Sequence, residues 1–207
     1  MSLWAIIPIK PIRRGKSRLS VVLSEKERTE LNKWLLTRTI NSVKNVNEIS
    51  NFVVISYDPA TLSIARDLGA KTIQENRFTN LNRALRRATS AVKVFNATKV
   101  IVLPADLPFI NGNVIKRFIK AAGKPPEIII APDQRQNGTN ALLINPIGII
   151  DYDFGQWSFK KHIEQAERNK YRISICNIEG LNFDLDTPGD YEFLLSKGFS
   201  YKKMEDT

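Results

Sequence analysis

The chain has little of several residues on which common protein sites depend. It contains one cysteine, Cys176, and one histidine, His162. These counts exclude an intramolecular disulfide, a cysteine-based zinc site and a histidine-rich metal site. No apolar run approaches the length of a membrane span. The amino terminus also lacks a basic region followed by an apolar one, because Leu3–Ile9 already has the pattern of a first strand. We therefore expect a cytoplasmic protein.

The two rare residues have modest predicted roles. Cys176 lies in the apolar stretch Ile173–Ile178, which favours a buried structural thiol over a nucleophile. We expect His162 to be a surface or substrate-edge residue rather than a general base. The sequence therefore directs the search for chemistry towards carboxylates and basic side chains.

The 207 residues predict a single α/β domain over 1–200 and a frayed polar tail over 201–207. Helix signals include a capping box at Ser24 and Glu27 and a cap followed by proline at Asp58 and at Thr187. The remaining helices are predicted near 81–92, from Asn111 to Ala122 and over Gln156–Asn169. Strand-like runs alternate with these helices at Leu3–Ile9, Phe52–Ser56, Lys71–Ile73, Lys99–Leu103, Glu127–Ala131, Ala141–Ile144 and Arg172–Cys176. This alternation predicts a mostly parallel sheet with helices on both faces.

The formal net charge is +10, and basic residues cluster in three segments. Such a charge attracts polyanions, either nucleic acid or highly charged small substrates, although about half of these side chains are expected to be merely solvated. The chain has no RNA-recognition aromatic signature, KH-type loop or zinc finger. The composition therefore favours small anionic substrates over nucleic acid. The clusters are Lys10, Arg13, Arg14, Lys16 and Arg18, then Arg83, Arg86 and Arg87, then Lys160 and Lys161.

The segment Leu103-Pro104-Ala105-Asp106-Leu107-Pro108 is the most informative part of the chain. It follows a β-branched run that predicts a buried strand. Open α/β sheets bind ligands at the carboxyl edge, where Asp106 would lie. A carboxylate there can hold a hard divalent cation against a substrate phosphate. The alternative is an aspartate that caps the helix near Asn111.

A basic segment, Lys10 to Leu19, follows the first predicted strand. Its Gly15-Lys16-Ser17 imitates the end of a P-loop, but Lys10 stands where that motif needs glycine, and no helix follows directly. What remains is a basic loop at the carboxyl edge, from which Lys16 and Arg18 can reach a triphosphate. A solvated loop is the alternative.

Asp184 and Asp186 precede the last predicted helix at Thr187-Pro188. In an extended chain the two carboxylates share a face, and like charges that close repel unless a cation or a basic group lies between them. Asp186 could instead assist the start of the helix. Because this segment is predicted at the same sheet edge as Asp106, we expect Asp106 and Asp184 to converge on one Mg²⁺.

Two further segments have the composition of anion-binding sites. Gly138-Thr139-Asn140 precedes a strand, and Phe154-Gly155-Gln156-Trp157-Ser158 precedes a helix. Backbone N–H groups and small hydroxyls at such positions bind carboxylate or phosphate. Turn glycines and a helix-capping serine explain the same residues equally well.

Taken in order along nearly the whole chain, these segments resemble the 2-phospho-L-lactate guanylyltransferase family, which acts in biosynthesis of the deazaflavin coenzyme F(420). The resemblance is carried by Pro8-Ile9-Lys10-Pro11, Gly15-Lys16-Ser17-Arg18-Leu19, Leu81-Asn82, the segments around Asp106 and Thr139, Phe154-Gly155 with Ser158-Phe159 and His162, and Asp184-Leu185-Asp186-Thr187-Pro188. It implies a nucleotide-diphosphosugar-transferase-like fold. Trp157 stands where the family usually has a small residue, and Asn80 replaces the usual glycine before Leu81-Asn82.

The resemblance also implies partners and roles. The expected substrates are GTP and a phosphorylated three-carbon acid, the expected cofactor is Mg²⁺, and neither nucleic acid nor a membrane is expected; a homodimer is left open. The resemblance makes Asp106 and Asp184 metal ligands, with Asp186 left open as the alternative second ligand, and assigns Thr139, Gly155 and Ser158 to the acid. The residues predicted to bind the nucleotide are Lys10, Lys16, Arg18 and Asn82. The expected reaction is in-line attack of an acceptor phosphate oxygen on the α-phosphorus of GTP. Lys16 and Arg18 would stabilise the leaving pyrophosphate. The nearest alternative is a nucleotidyltransferase of the same fold that acts on a sugar phosphate or a pterin.

Overall fold

A seven-stranded mixed sheet forms the centre of the structure, a computed structural model that describes residues 2–76 and 80–200. The strands are β1 Ser2–Pro8, β2 Asn51–Ser56, β3 Lys71–Gln74, β4 Ala97–Val102, β5 Glu127–Pro132, β6 Thr139–Asn145 and β7 Arg172–Ile175. Their order in the sheet is β3-β2-β1-β4-β6-β5-β7, and β6 is antiparallel to both of its neighbours. All other pairs are parallel. The predicted α/β fold with a mostly parallel sheet is confirmed.

In the described part of the chain, six α-helices and one short 3-10 helix accompany the strands, and the last helix follows the last strand. They are α1 Glu25–Lys44, α2 Pro59–Asp67, α3 Leu81–Val94, α4 Gly112–Lys120, α5 Ser158–Arg168 and α6 Pro188–Ser196, with the 3-10 helix at Ser17–Val21. The predicted capping box of α1 is present, since Ser24 accepts from the Glu27 N–H while the Glu27 carboxylate accepts from the Ser24 N–H. The 3-10 helix was missed and replaces part of the predicted basic loop.

The helices cover both faces of the sheet. One buried cluster combines α1, α2 and α4 with one face, through side chains such as Leu36, Leu62 and Phe118. The other combines α3 and α5 with the opposite face, through Leu85 and Ala166. Because both faces are covered, the central strands are almost continuously apolar, as their sequences predict.

The reversed direction of β6 brings its first residues to the functional edge of the sheet. Leu142 of β6 lies opposite Val102, the last residue of β4. Thr139 and Asn140 therefore extend past the carboxyl end of β4, towards the segment that contains Asp106. In a parallel strand the same two residues would lie at the opposite edge.

Two further predictions meet different outcomes. Cys176 is half-buried rather than fully buried, because it follows β7 near the sheet edge; its burial still raises the pKa of its thiol. The predicted tail, 201–207, lies outside the described residues. Within residues 2–76 and 80–200, no helix is both long and apolar enough to cross a membrane.

Candidate active site

Asp106 lies in the turn that follows β4, where Pro104 and Pro108 interrupt the extended chain. Its carboxylate is 3.5 Å from the Nζ of Lys16. Its main-chain carbonyl accepts a 3.0 Å hydrogen bond from the N–H of Leu185, which ties the turn to the second acidic segment. Helix α4 is capped by Asn111, whose side chain accepts from the Val114 N–H, so Asp106 is not the helix cap.

Asp184 faces Asp106 in a partly buried setting. Burial and the negative charge of Asp106 raise the pKa of the Asp184 carboxyl. The hydrogen bond from Asn140 Nδ2, at 3.2 Å, and the positive charge of Lys16 act in the opposite direction but are weaker. The predicted convergence of these two aspartates at one edge is therefore present, and their mutual repulsion is a destabilising feature that a cation would relieve.

The side chain of Lys16 lies between acidic groups and is only 9% exposed. Its Nζ is 3.5 Å from Asp106 and 4.0 Å from Asp186. The backbone of Lys16 is left-handed, with φ 55°, an uncommon conformation for a residue with a side chain. Strain of this kind persists only where surrounding contacts hold it, and it often occurs at functional sites.

Buried contacts on both sides hold the segment that carries Lys16. Before it, the N–H of Ile12 donates to Thr61 Oγ1 at 3.1 Å, and Asn32 Nδ2 donates to the Ile12 carbonyl at 2.7 Å. After it, Leu19 is fully buried in a cluster with leucines of α1 and α6. The basic segment is therefore a packed part of the fold and not the freely solvated loop of the alternative interpretation.

Arg18 and Asp186 form the exposed rim of the site. Arg18 Nη1 donates to Asp186 Oδ2 at 2.6 Å, and the guanidinium side chain is 71% exposed. Asp186 does not cap α6, because Thr187 and Asp190 form a capping box there. The predicted metal role of Asp186 stays a prediction, since in this structure its carboxylate is engaged by Arg18.

Next to Asn140 in the sequence, the side chain of Thr139 contacts His162, the only histidine of the chain. The Oγ1 of Thr139 is 3.1 Å from His162 Nδ1, and His162 Nε2 accepts from the Asp153 N–H at 3.1 Å. Burial lowers the pKa of His162 to about 4. Of the two expected positions for His162, the surface one is wrong, because the side chain is fully buried, and the substrate-edge one stays a prediction.

The predicted acid-binding residues of α5 surround its first turn. Gly155 has φ +125°, and a Cβ added there would meet nothing within 4 Å, so glycine is needed for the backbone conformation and not for lack of space. Ser158 is buried and is the first residue of α5. The serine is not the helix cap, which is Trp157 in a left-handed conformation with φ 61°. Trp157 is half-exposed at this turn.

The structure gives less direct support for the predicted roles of the two remaining residues, Lys10 and Asn82. Lys10 is exposed just beyond β1. Asn82, in the first turn of α3, donates from Nδ2 to the Phe154 carbonyl at 3.1 Å and accepts from the Phe154 N–H at 2.8 Å. Its amide thus supports the loop before Gly155, and the predicted nucleotide contacts of Asn82 and Lys10 stay predictions.

The structure identifies Asn140 and His162 as site residues that sequence reasoning missed or misplaced. Asn140 joins the two halves, because it bonds Asp184 while the adjacent Thr139 bonds His162. A signal for His162 was available: it lies three residues after Phe159 and four before Ala166, on the predicted inward face of α5. A polar pair at the start of an apolar strand was the corresponding signal for Asn140.

The donor set fits a hard divalent cation in a limited way. Within the described ranges, no group of three or more His, Cys, Asp or Glu side chains is arranged to hold a metal ion. The two facing carboxylates of Asp106 and Asp184 nevertheless match Mg²⁺, which commonly takes one or two carboxylates and fills its shell with phosphate oxygens and water. The geometry therefore fits a cation that binds together with a phosphorylated substrate.

Known proteins match this chain along nearly its whole sequence. Residues 3–205 match the model of the family described as "Guanylyl transferase CofC like". The phosphoenolpyruvate guanylyltransferase of Rubrobacter xylanophilus is 36% identical over 96% of this chain and 96% of its own length. The 2-phospho-L-lactate guanylyltransferase of Methanocaldococcus infernus is 37% identical over 96% of this chain and 87% of its own.

The fold also has solved counterparts. A protein assigned as a nucleotide-diphospho-sugar transferase, from Desulfovibrio desulfuricans G20, superposes with a TM-score of 0.76 at 12% identity, over 97% of this chain and 90% of that one. At that identity the likeness concerns the fold alone. By the family match and the two relatives, the chain belongs to the CofC-like guanylyl transferase family.

Proposed function

We propose that this member of the family transfers GMP from GTP to 2-phospho-L-lactate, or to a close analogue such as phosphoenolpyruvate, with release of pyrophosphate. With 2-phospho-L-lactate the product is lactyl-2-diphospho-5′-guanosine, an intermediate of coenzyme F(420) biosynthesis. The observation that carries the proposal is the junction at Asn140. Asn140 connects two parts of one sheet edge. One part is a pair of carboxylates suited to a cation, and the other is a buried hydroxyl suited to an acid.

The cation side of the junction would hold the triphosphate. Asp106 and Asp184 would bind Mg²⁺, and a cation bound there would neutralise charge on the reacting phosphate. Lys16 and Arg18 lie on the same side and supply positive charge for the leaving pyrophosphate. Asp186 would keep the Arg18 guanidinium directed at the site, which is a different role from that of a metal ligand.

The acid side would hold the acceptor. Thr139, Ser158 and the backbone near Gly155 surround the amino end of α5, where the helix dipole favours an anion. The N–H groups of Ser158 and Phe159 already donate to the carbonyls of Gly155 and Asn137, so the hydroxyls of Thr139 and Ser158 would be the donors to the acid. The attacking phosphate oxygen of the acceptor is already anionic, so the transfer needs no general base. Positioning and charge neutralisation then account for catalysis, in agreement with a site whose histidine is buried and neutral.

The proposal is tested with purified protein, Mg²⁺ and GTP, with each three-carbon acid added in turn and pyrophosphate release followed. We expect release with 2-phospho-L-lactate or phosphoenolpyruvate, and 3-phosphoglycerate is assayed beside them as the third candidate acid. We also expect GTP to be used well ahead of ATP, CTP and UTP. Release with a sugar phosphate or a pterin instead of these acids would contradict the proposed function.

The choice between the two acceptors follows from the same assay. The two relatives quoted above carry different acceptor names at nearly equal identity, so overall similarity does not distinguish them. Comparing kcat/KM for the two acids at saturating GTP gives the preference directly.

A further inference from the structure

His162 is a buried polar side chain that the proposed transfer does not use directly. It lies on α5 behind Thr139, and both of its ring nitrogens have a partner. Because the imidazole is fully buried, neither nitrogen can exchange its partner for water. The ring therefore fixes the hydrogen bonding of both partners. What the ring does to Thr139 follows from its tautomer.

The tautomer is fixed by the main chain. The N–H of Asp153 can only donate, so Nε2 of His162 must carry a lone pair. Because the imidazole is neutral, its single proton is then on Nδ1. The Nδ1–H is 3.1 Å from Thr139 Oγ1 and donates to it.

This bond decides what the hydroxyl of Thr139 can offer a ligand. One lone pair of Oγ1 is occupied by His162, so the hydroxyl proton points elsewhere. Within residues 2–76 and 80–200, no second partner of that hydroxyl is present. The hydroxyl proton of Thr139 is therefore available to a ligand, which suits an anionic oxygen.

The orientation of the imidazole is itself supported from the nucleotide side. Phe154 packs edge-to-face on the ring, with centroids 5.1 Å apart, and the backbone of Phe154 is held by the Asn82 amide of α3. The ring is thus held by a hydrogen bond at Nε2 and by an aromatic neighbour. It cannot turn to release Thr139 without breaking one of these contacts.

Resting on the function proposed above, we propose that His162 is a positioning residue for the acceptor: its Nδ1–H donates to Thr139, so the hydroxyl proton of Thr139 stays available for a carboxylate or phosphate oxygen of the acid. Replacing Thr139 or the donating nitrogen of His162 should then weaken acid binding selectively. GTP binding on the cation side should be unchanged.

Two matched variants separate this role from simple packing. The amide of Asn overlaps the Nδ1 end of histidine, so His162→Asn can still donate to Thr139 but loses Asp153. The longer Gln overlaps the Nε2 end, so His162→Gln can still accept from Asp153 but does not donate to Thr139. Each variant loses one hydrogen bond of the same kind, and melting temperatures check that both fold.

The measurements are KM for the acid and KM for GTP in the wild type, both variants, Thr139→Val, and Thr139→Val combined with His162→Gln. We expect Thr139→Val to raise the acid KM at least about tenfold, the typical effect of losing a hydrogen bond to a charged group. His162→Gln should also raise the KM for the acid, while its KM for GTP stays within about twofold of the wild type. In His162→Asn the KM for the acid should be close to the wild-type value. The double variant should be no worse than Thr139→Val, because the two residues act as one unit.

Each other outcome has a definite meaning. Equal acid KM values for His162→Asn and His162→Gln, parallel rises in both substrates, or additive effects in the double variant would overturn the positioning role while leaving the transfer reaction intact. An unchanged KM for the acid in Thr139→Val would also overturn the positioning role, because it would show that Thr139 does not bind the acid. A wild type that transfers GMP to no three-carbon acid would instead overturn the proposed function.

Discussion

The burial of a neutral histidine predicts a specific loss of stability on acidification. His162 is the only histidine of the chain, so replacing it removes every imidazole titration at once. Burial lowers its pKa to about 4 from an ordinary value of 6.5; the charge of Asp153 raises the pKa and that of Lys161 lowers it further, both less than burial does. The perturbation is a change from pH 7 to pH 5, applied to the wild type and to His162→Asn.

The sign follows from which state binds the proton. Between about pH 6.5 and pH 4 the unfolded chain is protonated at this position and the folded protein is not. The contribution of His162 is therefore fully present above pH 6.5 and decreases as the pH falls towards 4. Each pKa unit corresponds to ~1.36 kcal/mol, so the loss is about 2 kcal/mol from pH 7 to 5 and about 3 kcal/mol when complete.

The assay is urea unfolding at several pH values between 4 and 7.5, with the free energy of unfolding extrapolated to zero denaturant. Between pH 7 and pH 5, the free energy of unfolding should fall about 2 kcal/mol further in the wild type than in His162→Asn. Carboxyl groups contribute equally to both proteins, apart from Asp153, so the difference isolates the imidazole. Parallel curves would refute the buried, neutral assignment of His162, and the tautomer argument would fail with it.

Three further predictions concern the site itself. Asp106→Asn should lower kcat at least ~100-fold in a folded protein, whereas Asp67→Asn, at the exposed end of α2, should have no effect; near-normal turnover in Asp106→Asn would remove its catalytic role. Asp184→Asn should lower turnover similarly, yet its melting temperature at pH 7 should be unchanged or higher. The substitution removes a desolvated charge that Asp106 repels, and it keeps an acceptor for Asn140. A clear drop in melting temperature would contradict this account. Gly155→Ala should cost about 1–3 kcal/mol of stability through its positive φ and raise the acid KM, whereas Gly198→Ala, with φ +82° and equally open surroundings, should affect stability alone.

Local sequence signals determined most of the element boundaries. The capping box at Ser24 and Glu27, and the cap-proline pairs at Asp58 and Thr187, act through hydrogen bonds that span three residues, so they are readable without the rest of the fold. The apolar run that ends at Pro104 likewise predicts a buried strand and its termination. Asp106 could be expected at the functional edge for the same local reason.

The direction of β6 was decided by tertiary structure. Its sequence is an apolar run that fits a parallel or an antiparallel strand equally well, because direction is set by the neighbours with which it pairs. Yet direction determines whether Thr139 and Asn140 lie beside Asp184 or at the far side of the sheet. The link between the proposed cation and acid sites therefore depends on pairing that no local pattern encodes.

The same distinction applies to the side chains of the site. The sequence by itself established that Lys16, Arg18 and three aspartates follow strands or precede a helix, which is enough to predict a charged edge. Only the packed structure shows that Arg18 engages Asp186, that Lys16 lies between Asp106 and Asp186, and that burial keeps His162 neutral. Charge and hydrogen-bond strength depend on burial and on partners distant in sequence, so these properties arise when the chain folds.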